Sequence, residues 1–334
     1  MSRADGLAPM LLGRARALGK KGADWLASLD GLVAALEAKW GVRAGGAMPG
    51  GSHAFVAPAE DERGGQYVLK IELPDGDAGA FWQGVEALRL ANGHGYAQIY
   101  KWDGPARATL LERLGPPLKT LGFALERQME LLCAALEESW RLPTDGAKLP
   151  GPAESIAWFR GFIPASWSSL GGPFPAALRD WALGLLAARE ARIDMEPRVL
   201  IHGDAHNNNL LRTLDGRGFK LIDPDGAVGE PACDLGVLMR EWPELYREDP
   251  VGTGRHRCAL LHRLTGADPA GIWAWGAIQC VSTALVCLQI GEKALACELL
   301  HPAEAWRRAG IGYRTDCCGG KGDGLPRRPA GSSQ

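Results

Sequence analysis

Apolar and polar positions alternate with a period of two along Gln66-Tyr67-Val68-Leu69-Lys70-Ile71-Glu72-Leu73, the pattern of a strand with one buried face. Upstream, Pro49-Gly50-Gly51-Ser52 separates Val42-Arg43-Ala44 from His53-Ala54-Phe55-Val56-Ala57, which reads as strand, turn, strand. The period then changes: residues 77–90 carry apolar side chains at helical spacing. Residues 97–102 and 108–115 return to strand character on either side of Asp103-Gly104-Pro105. From residue 121 onward the pattern is mainly helical. Residues 121–140 and 174–191 read as amphipathic helices, and the aromatic run Trp158-Phe159-Arg160-Gly161-Phe162-Ile163 between them is expected in the core. Residues 271–290 are apolar enough to raise the question of a membrane span, yet Gln279, Ser282, Thr283 and Gln289 interrupt them, so a buried helix is expected.

Two short apolar runs break the helical half, and each delivers a carboxylate to a polar turn. Val199-Leu200-Ile201 leads into His202-Gly203-Asp204-Ala205-His206-Asn207-Asn208-Asn209, and Phe219-Lys220-Leu221-Ile222 leads into Asp223-Pro224-Asp225-Gly226. Kinases need these parts: a carboxylate beside the acceptor hydroxyl (Asp204), and an amide and a second carboxylate (Asn209, Asp223) to hold Mg²⁺ against nucleotide phosphates. Oxygen donors suit that hard cation. Such a site also needs a turn over the phosphates, a strand lysine and a helical acidic partner. Gly50, Gly51 and Ser52 supply a turn that lets backbone N–H groups approach phosphate. Lys70 is the strand lysine and Glu86 its expected partner. Taken singly these are an ordinary hairpin, a solvated charge and a glutamate that bonds a nearby arginine; their order along the chain gives them meaning. His202 reads as a structural histidine that braces the loop. Its spacing to His206 would suit zinc on a helix, but Gly203 and the asparagines make a loop. Asp225 is expected in a turn role, and Asp234 as a helix cap or a brace for the loop.

The His202-Gly203-Asp204 string with Asn209 five positions on resembles the catalytic loop of the aminoglycoside phosphotransferases. Ile222-Asp223-Pro224-Asp225-Gly226, continuing through Val228-Gly229-Glu230-Pro231-Ala232-Cys233-Asp234-Leu235, resembles the branch containing streptomycin 6-kinases and hydroxyurea phosphotransferases. The resemblance spans roughly residues 24–307. It implies an α+β, protein-kinase-like fold of two lobes, the smaller built on an antiparallel sheet and the larger mainly helical. The corresponding divisions are an N-terminal extension over 1–23, an N-lobe over 24–114, a C-lobe over 115–310 and a disordered tail over 311–334. It further implies transfer of the ATP γ-phosphoryl group, with Mg²⁺, to a hydroxyl of an antibiotic such as streptomycin, or to hydroxyurea. Residues 108–115 would run into the hinge, where Glu112 and Leu114 would read the nucleotide base through their main-chain groups; GTP stays open beside ATP. The same core also serves kinases of choline, homoserine or sugar amines. A non-catalytic nucleotide-binding relative would be marked by loss of Asp204, Asn209, Asp223 or Lys70, and all four are present.

Composition narrows this picture little further. The 334 residues are enough for two lobes around a cleft, and 46% hydrophobic with 23% charged residues suits a globular chain. A formal net charge of −2 offers no basis for nucleic-acid binding, so the expected partners are ATP and a small-molecule acceptor, without nucleic acid or membrane. The acidic stretch from Glu241 to Asp249, with Glu244 and Glu248, faces Arg247 alone and is either a solvated face or a contact for a cationic acceptor. Eight cysteines lack the spacing of a zinc ribbon or a disulfide framework, which fits a reducing cytoplasm. The segment before Lys21 has too short an apolar run for a secretory signal. Gly13 to Lys20 imitates a phosphate-binding loop but misses its glycine spacing, and Lys21 replaces the metal-binding hydroxyl.

Overall fold

The computed structural model describes residues 6–49, 51, 53–75 and 78–311. Gly50, Ser52 and the Cys317-Cys318 tail lie outside them. Two helices, α1 (Pro9–Ala17) and α2 (Lys20–Trp40), precede a five-stranded sheet. On α2 the apolar stripe Trp25, Leu29, Val33, Leu36 and Trp40 is buried, and Gly41, at φ +68°, ends the helix in the left-handed conformation that glycine accepts without strain. Strands β1 (Val42–Ala44), β2 (Ala54–Asp61), β3 (Gln66–Glu72), β4 (Ile99–Asp103) and β5 (Ala108–Glu112) pair antiparallel in the order β1-β2-β3-β5-β4. Hydrogen bonds from Gly45 N to Pro58 O and Met48 N to Val56 O, each 2.7 Å, extend the first pair toward the turn at residue 49. The two strands of that reading are therefore observed and paired.

The sheet has two covered faces. Phe55, Ala57, Leu69, Ile71, Ala108 and Leu110 face α1 and α2 in one apolar cluster with Leu7, Leu11 and Ala15. Residues 6–23, set apart on the sequence as an extension, thus share the core of the N-terminal lobe. Each of the leucine, isoleucine and phenylalanine side chains in it contributes roughly 1.5–3 kcal/mol when removed from water. The opposite parity of β3 turns Lys70 away from Leu69 and Ile71, toward the second lobe. Helix α3 (Ala78–Ala91) packs Phe81, Val85 and Leu88 into the cluster on that side.

The second lobe comprises α4 (Leu125–Trp140), α5 (Pro152–Ser169), α6 (Ala176–Glu190), α7 (Ala232–Arg240), α8 (Pro250–Thr265), α9 (Pro269–Gln289) and α10 (Lys293–Arg308). Between α6 and α7 lie two small antiparallel ladders, β6 (Val199–Ile201) with β9 (Ala227–Gly229) and β7 (Leu210–Arg212) with β8 (Phe219–Leu221). Helix α9 is the axis of the lobe, touching α5, α6, α7, α8 and α10. It is long and apolar enough to cross a membrane, and 83% of that window is buried against its neighbours, as its interrupting polar residues led us to expect. The aromatic run at 158–163 departs from expectation. It is the middle of a third helix, α5, and not all of it is core: Trp158 is 58% exposed while Ile163 is buried. A continuous helix can turn only one side inward, and Trp158 falls on the other.

A buried guanidinium fastens the ladders to the helices. Arg189, 3% exposed on α6, binds Glu230 through two nitrogens, Glu196 at 2.9 Å and Asp268 at 3.2 Å, while Trp275 Nε1 donates to Glu230 Oε1 at 2.7 Å. Asp268 also caps α9, accepting from Ala270 N and Gly271 N. Helix α7 approaches α9 so closely that a Cβ on Gly236 would lie 2.7 Å from Trp275 Cβ, and one on Gly276 would lie 2.6 Å from Met239 Cβ. In an exposed helix Gly→Ala stabilises. Here Gly236→Ala is expected to destabilise by about 1–3 kcal/mol through overpacking, read as a lower urea midpoint; a raised midpoint would contradict the close crossing.

Candidate active site

The buried strand Val199-Leu200-Ile201 carries the chain to the cleft and stops at His202. Gly203 turns there at φ +87°, and a Cβ on it would meet Asp225 Cβ at 2.9 Å, so both conformation and space demand glycine. Asp234, fully buried in the first turn of α7, accepts Gly203 N at 2.8 Å, His202 N at 3.2 Å and Trp140 Nε1 at 3.1 Å. Burial pushes its carboxyl up to about 6, against the pull of those three donors. Of its two expected roles, the brace for the loop is the one observed. His202 is also buried: Asp204 N donates to Nδ1 at 3.2 Å, so Nε2 carries the proton and donates to Ile222 O at 2.9 Å. Burial lowers its pKa to about 4, and the imidazole is a neutral strut rather than a proton carrier.

Asp204 stands at the mouth of this loop with its side chain 36% exposed. Arg240 Nη2 donates to Oδ1 at 2.6 Å; at Oδ2 are His206 Nε2 and Asn209 Nδ2, each at 3.3 Å. Burial raises its pKa, but the His206 hydrogen bond and the Arg240 and His206 charges outweigh it and hold the carboxyl well below the usual range. Asn209 Nδ2 also bonds Asp204 O at 3.0 Å, which orients the amide. Asn207, from the same loop, bonds Gln128 Oε1 on α4 at 2.9 Å. Asp223 follows β8 at φ +58°, a left-handed conformation that aspartate tolerates better than most residues. Its Oδ1 meets Lys70 Nζ at 3.1 Å, joining the two lobes across the cleft. Asp225 makes the expected turn, with its N–H bonded to His202 O at 2.9 Å. Its tip reaches solvent, yet loss of hydration and the Asp204 charge push its carboxyl up to about 7.

Glu86 is not the partner of Lys70. It binds Arg89 Nη1 at 2.6 Å on its own helix and accepts Lys148 N at 3.5 Å, while the lysine pairs with Glu72 at 3.2 Å and Asp223. Glu72 is two positions from Lys70 and so lies on the same strand face, a register the alternation already contained. Burial disfavours the charged lysine, but the two carboxylates prevail and raise its pKa. Of Gly50, Gly51 and Ser52, expected to turn over phosphate, only Gly51 is described; a Cβ there would lie 2.6 Å from Ala54 O. Glu112, assigned a main-chain role, also uses its side chain. Lys220 Nζ meets both carboxylate oxygens at 3.0 and 2.7 Å, and Oε2 accepts Gln98 N at 2.9 Å, tying β5 to β8. Leu114 is buried beside the crossing where Gly115 N donates to Arg212 O at 2.7 Å. Of the acidic stretch, Glu241 touches Arg240 at 3.5 Å, Asp249 caps α8, and Arg247 pairs with Glu298.

A family profile described as aminoglycoside/hydroxyurea antibiotic resistance kinase matches residues 39–289, most of the chain. The chain belongs to that family. It is 29% identical to a streptomycin 6-kinase of Streptomyces glaucescens over 305 residues, covering 90% of this chain and 96% of that protein. It is 29% identical to a hydroxyurea phosphotransferase of Kitasatospora aureofaciens over 281 residues, covering 83% and 78%. Among solved structures, a thermostable mutant of the aminoglycoside phosphotransferase APH(4)-Ia superposes with a TM-score of 0.55 at 17% identity, covering 84% of this chain and 99% of that one, which supports the shared fold. The family is one of phosphotransferases, and the antiparallel sheet followed by a mainly helical lobe is the protein-kinase-like architecture that the resemblance implied.

Sequence reasoning passed over Arg240 and Glu72, and weighed His206 only as a zinc ligand, not as a partner of Asp204. Nothing in the spacing of Arg240 from Asp204 marks the contact, which arises from the packing of α7 behind the loop. The neutral His202 has a consequence for stability. An unfolded chain protonates this histidine near its ordinary value of 6.5, whereas the folded one does so only near 4. Stability is therefore present above pH 6.5 and lost as the pH falls toward 4. The raised carboxyls of Asp225 and Asp234 act in the opposite sense over the same range, so the histidine is read as a difference: the stability gap between wild type and His202→Gln in urea unfolding should shrink as the pH falls from 6.5 toward 4; a gap that does not change with pH would remove His202 from the acid sensitivity.

Proposed function

We propose that this phosphotransferase moves the γ-phosphoryl group of ATP, with Mg²⁺, to a hydroxyl of streptomycin, the substrate class named for the relative matching most of the chain. Hydroxyurea, named for the other relative, is the second acceptor to test. The observation that carries the reading is the Lys70–Asp223 contact across the cleft, at 3.1 Å, with Asp204 and Asn209 joined on the loop beside it. The donor set fits Mg²⁺: the Asn209 amide oxygen and the Asp223 carboxylate are hard ligands, and Lys70 takes only one Asp223 oxygen. When bound, the cation would neutralise phosphate charge.

The rest of the chemistry falls to the chain. Lys70 and the turn at Gly50, Gly51 and Ser52 would hold the phosphates, with the hinge around Glu112 and Leu114 against the base. Asp204 would orient the acceptor hydroxyl. As the new O–P bond forms, the bond between the γ-phosphorus and its bridging oxygen breaks, the electron pair leaves with ADP, and Asp204 takes the hydroxyl proton late. Because such transition states are loose, positioning and charge neutralisation supply most of the acceleration.

Purified protein incubated with Mg-ATP and streptomycin, other aminoglycosides or hydroxyurea, and followed by mass spectrometry, should add one phosphate to streptomycin. Asp204→Ala and Asp223→Ala should each lower turnover by roughly 10²-fold or more while the fold persists. A folded Asp204→Ala protein with near-normal turnover would sink the assignment. Melting curves give a separate check: ATP should stabilise the protein far more with Mg²⁺ than without it. Equal stabilisation in both conditions would remove the metal from the site.

A further inference from the structure

Arg240 is the last residue of α7, and its largely buried guanidinium is shared between two elements. Nη2 donates to Asp204 Oδ1 at 2.6 Å, while Nη1 donates to Gln279 Oε1 at 3.0 Å and Thr283 Oγ1 at 2.8 Å. Gln279 and Thr283 are one turn apart on α9, the most apolar helix of the lobe. Burying a glutamine in such a helix is costly unless it is hydrogen-bonded. Its contact with Arg240 meets that cost and also holds the guanidinium from behind. A guanidinium is a rigid planar fork, so anchoring one nitrogen fixes where the other points.

The same helix already holds the loop by another route. Asp234, in its first turn, takes the main-chain N–H groups of His202 and Gly203. Arg240, six residues on and about 9 Å along the axis, meets the loop through the Asp204 side chain, with Glu241 at 3.5 Å beside it on the other edge. The backbone of the loop does not need it. A carboxylate offers about four lone-pair sites, and on Asp204 the donors Arg240, His206 and Asn209 stand at three of them. About one remains for an incoming hydroxyl. We propose that Arg240 is a positioning residue for phosphoryl transfer: anchored on Gln279 and Thr283, it locks the Asp204 carboxylate in the one orientation that presents its remaining lone pair to the acceptor hydroxyl. The inference rests on the reading of Asp204 as the residue that orients the acceptor.

The test compares the full-length wild type with Arg240→Ala, Arg240→Lys, Thr283→Val and Asp204→Ala in Mg-ATP. Two readouts are followed: phosphate added to streptomycin or hydroxyurea, and phosphate released with water as the acceptor. Loss of a charge-assisted hydrogen bond made to the reacting group predicts that Arg240→Ala lowers kcat on the order of tenfold to a hundredfold. KM for ATP and the Mg-ATP melting shift should not change. Free guanidinium at a non-denaturing concentration should restore part of the loss to Arg240→Ala and none to Asp204→Ala, an effect that a purely structural role would not produce. Arg240→Lys reaches Asp204 without the fork and should fall between. Thr283→Val, nearly isosteric and leaving both charges in place, should show a smaller loss in kcat alone, and it keeps the question answerable if Arg240→Ala does not fold. Wild-type kcat in Arg240→Ala or Thr283→Val would overturn the proposal, as would a loss that follows the melting temperature and ignores guanidinium. If the wild type modifies neither antibiotic, the substrate reading fails, while phosphate release to water still judges Arg240.

Discussion

Two main-chain hydrogen bonds to Asp234 hold the geometry on which everything at the cleft depends. The loop after β6 must expose Asp204 and turn sharply at Gly203, which leaves the N–H groups of His202 and Gly203 pointing into the protein. An unpaired buried N–H costs about as much as a lost hydrogen bond. Asp234 supplies both acceptors from one carboxylate, at the N-terminal end of α7, where the helix dipole favours negative charge. Trp140 adds a third donor from α4, so the loop, α4 and α7 meet at one buried group.

That arrangement makes the C-terminal lobe a rigid platform whose stiffness has identifiable sources. Gly236 and Gly276 let α7 and α9 approach closely, and the Arg189 cluster binds α6, the end of β9 and the start of α9. Breaking a buried pair of this kind strands a charge and is costly, even though forming it contributes little net stability. The N-terminal lobe is organised differently. Its sheet is clasped between α1 and α2 on one face and α3 on the other, and it presents Lys70 to the second lobe as a single cation paired with carboxylates. The hinge is stiffened by the Glu112–Lys220 pair, which binds the last strand of the sheet to β8.

The alternation around Lys70 was a sound guide to both its strand and its face, because a strand has only two faces and one of them had to be apolar. The spacing from His202 through Asn209 was legible for a similar reason: the loop is short, and its side chains act within hydrogen-bond reach of their own backbone. Glu86 misled because a helix of fourteen residues offers several outward directions, and Arg89 three positions on satisfied it locally. Trp158 misled because aromatic character alone does not say which side of α5 faces in.

The sequence by itself determined the strands around Lys70, the helical character of the second half, the two carboxylates and amide of the loops and the buried character of α9, while helices α1 and α2 ahead of the sheet were not read from it. The features it determined follow from local periodicity or from residues within a few positions of each other. Only the tertiary structure decided which charges meet. Lys70 and Asp223 are 153 positions apart, Arg240 and Asp204 are 36 apart, and Arg240 and Thr283 are 43 apart. Such pairs depend on how whole elements pack, and a side chain's periodicity says which way it points from its own helix or strand but not what waits on the other side.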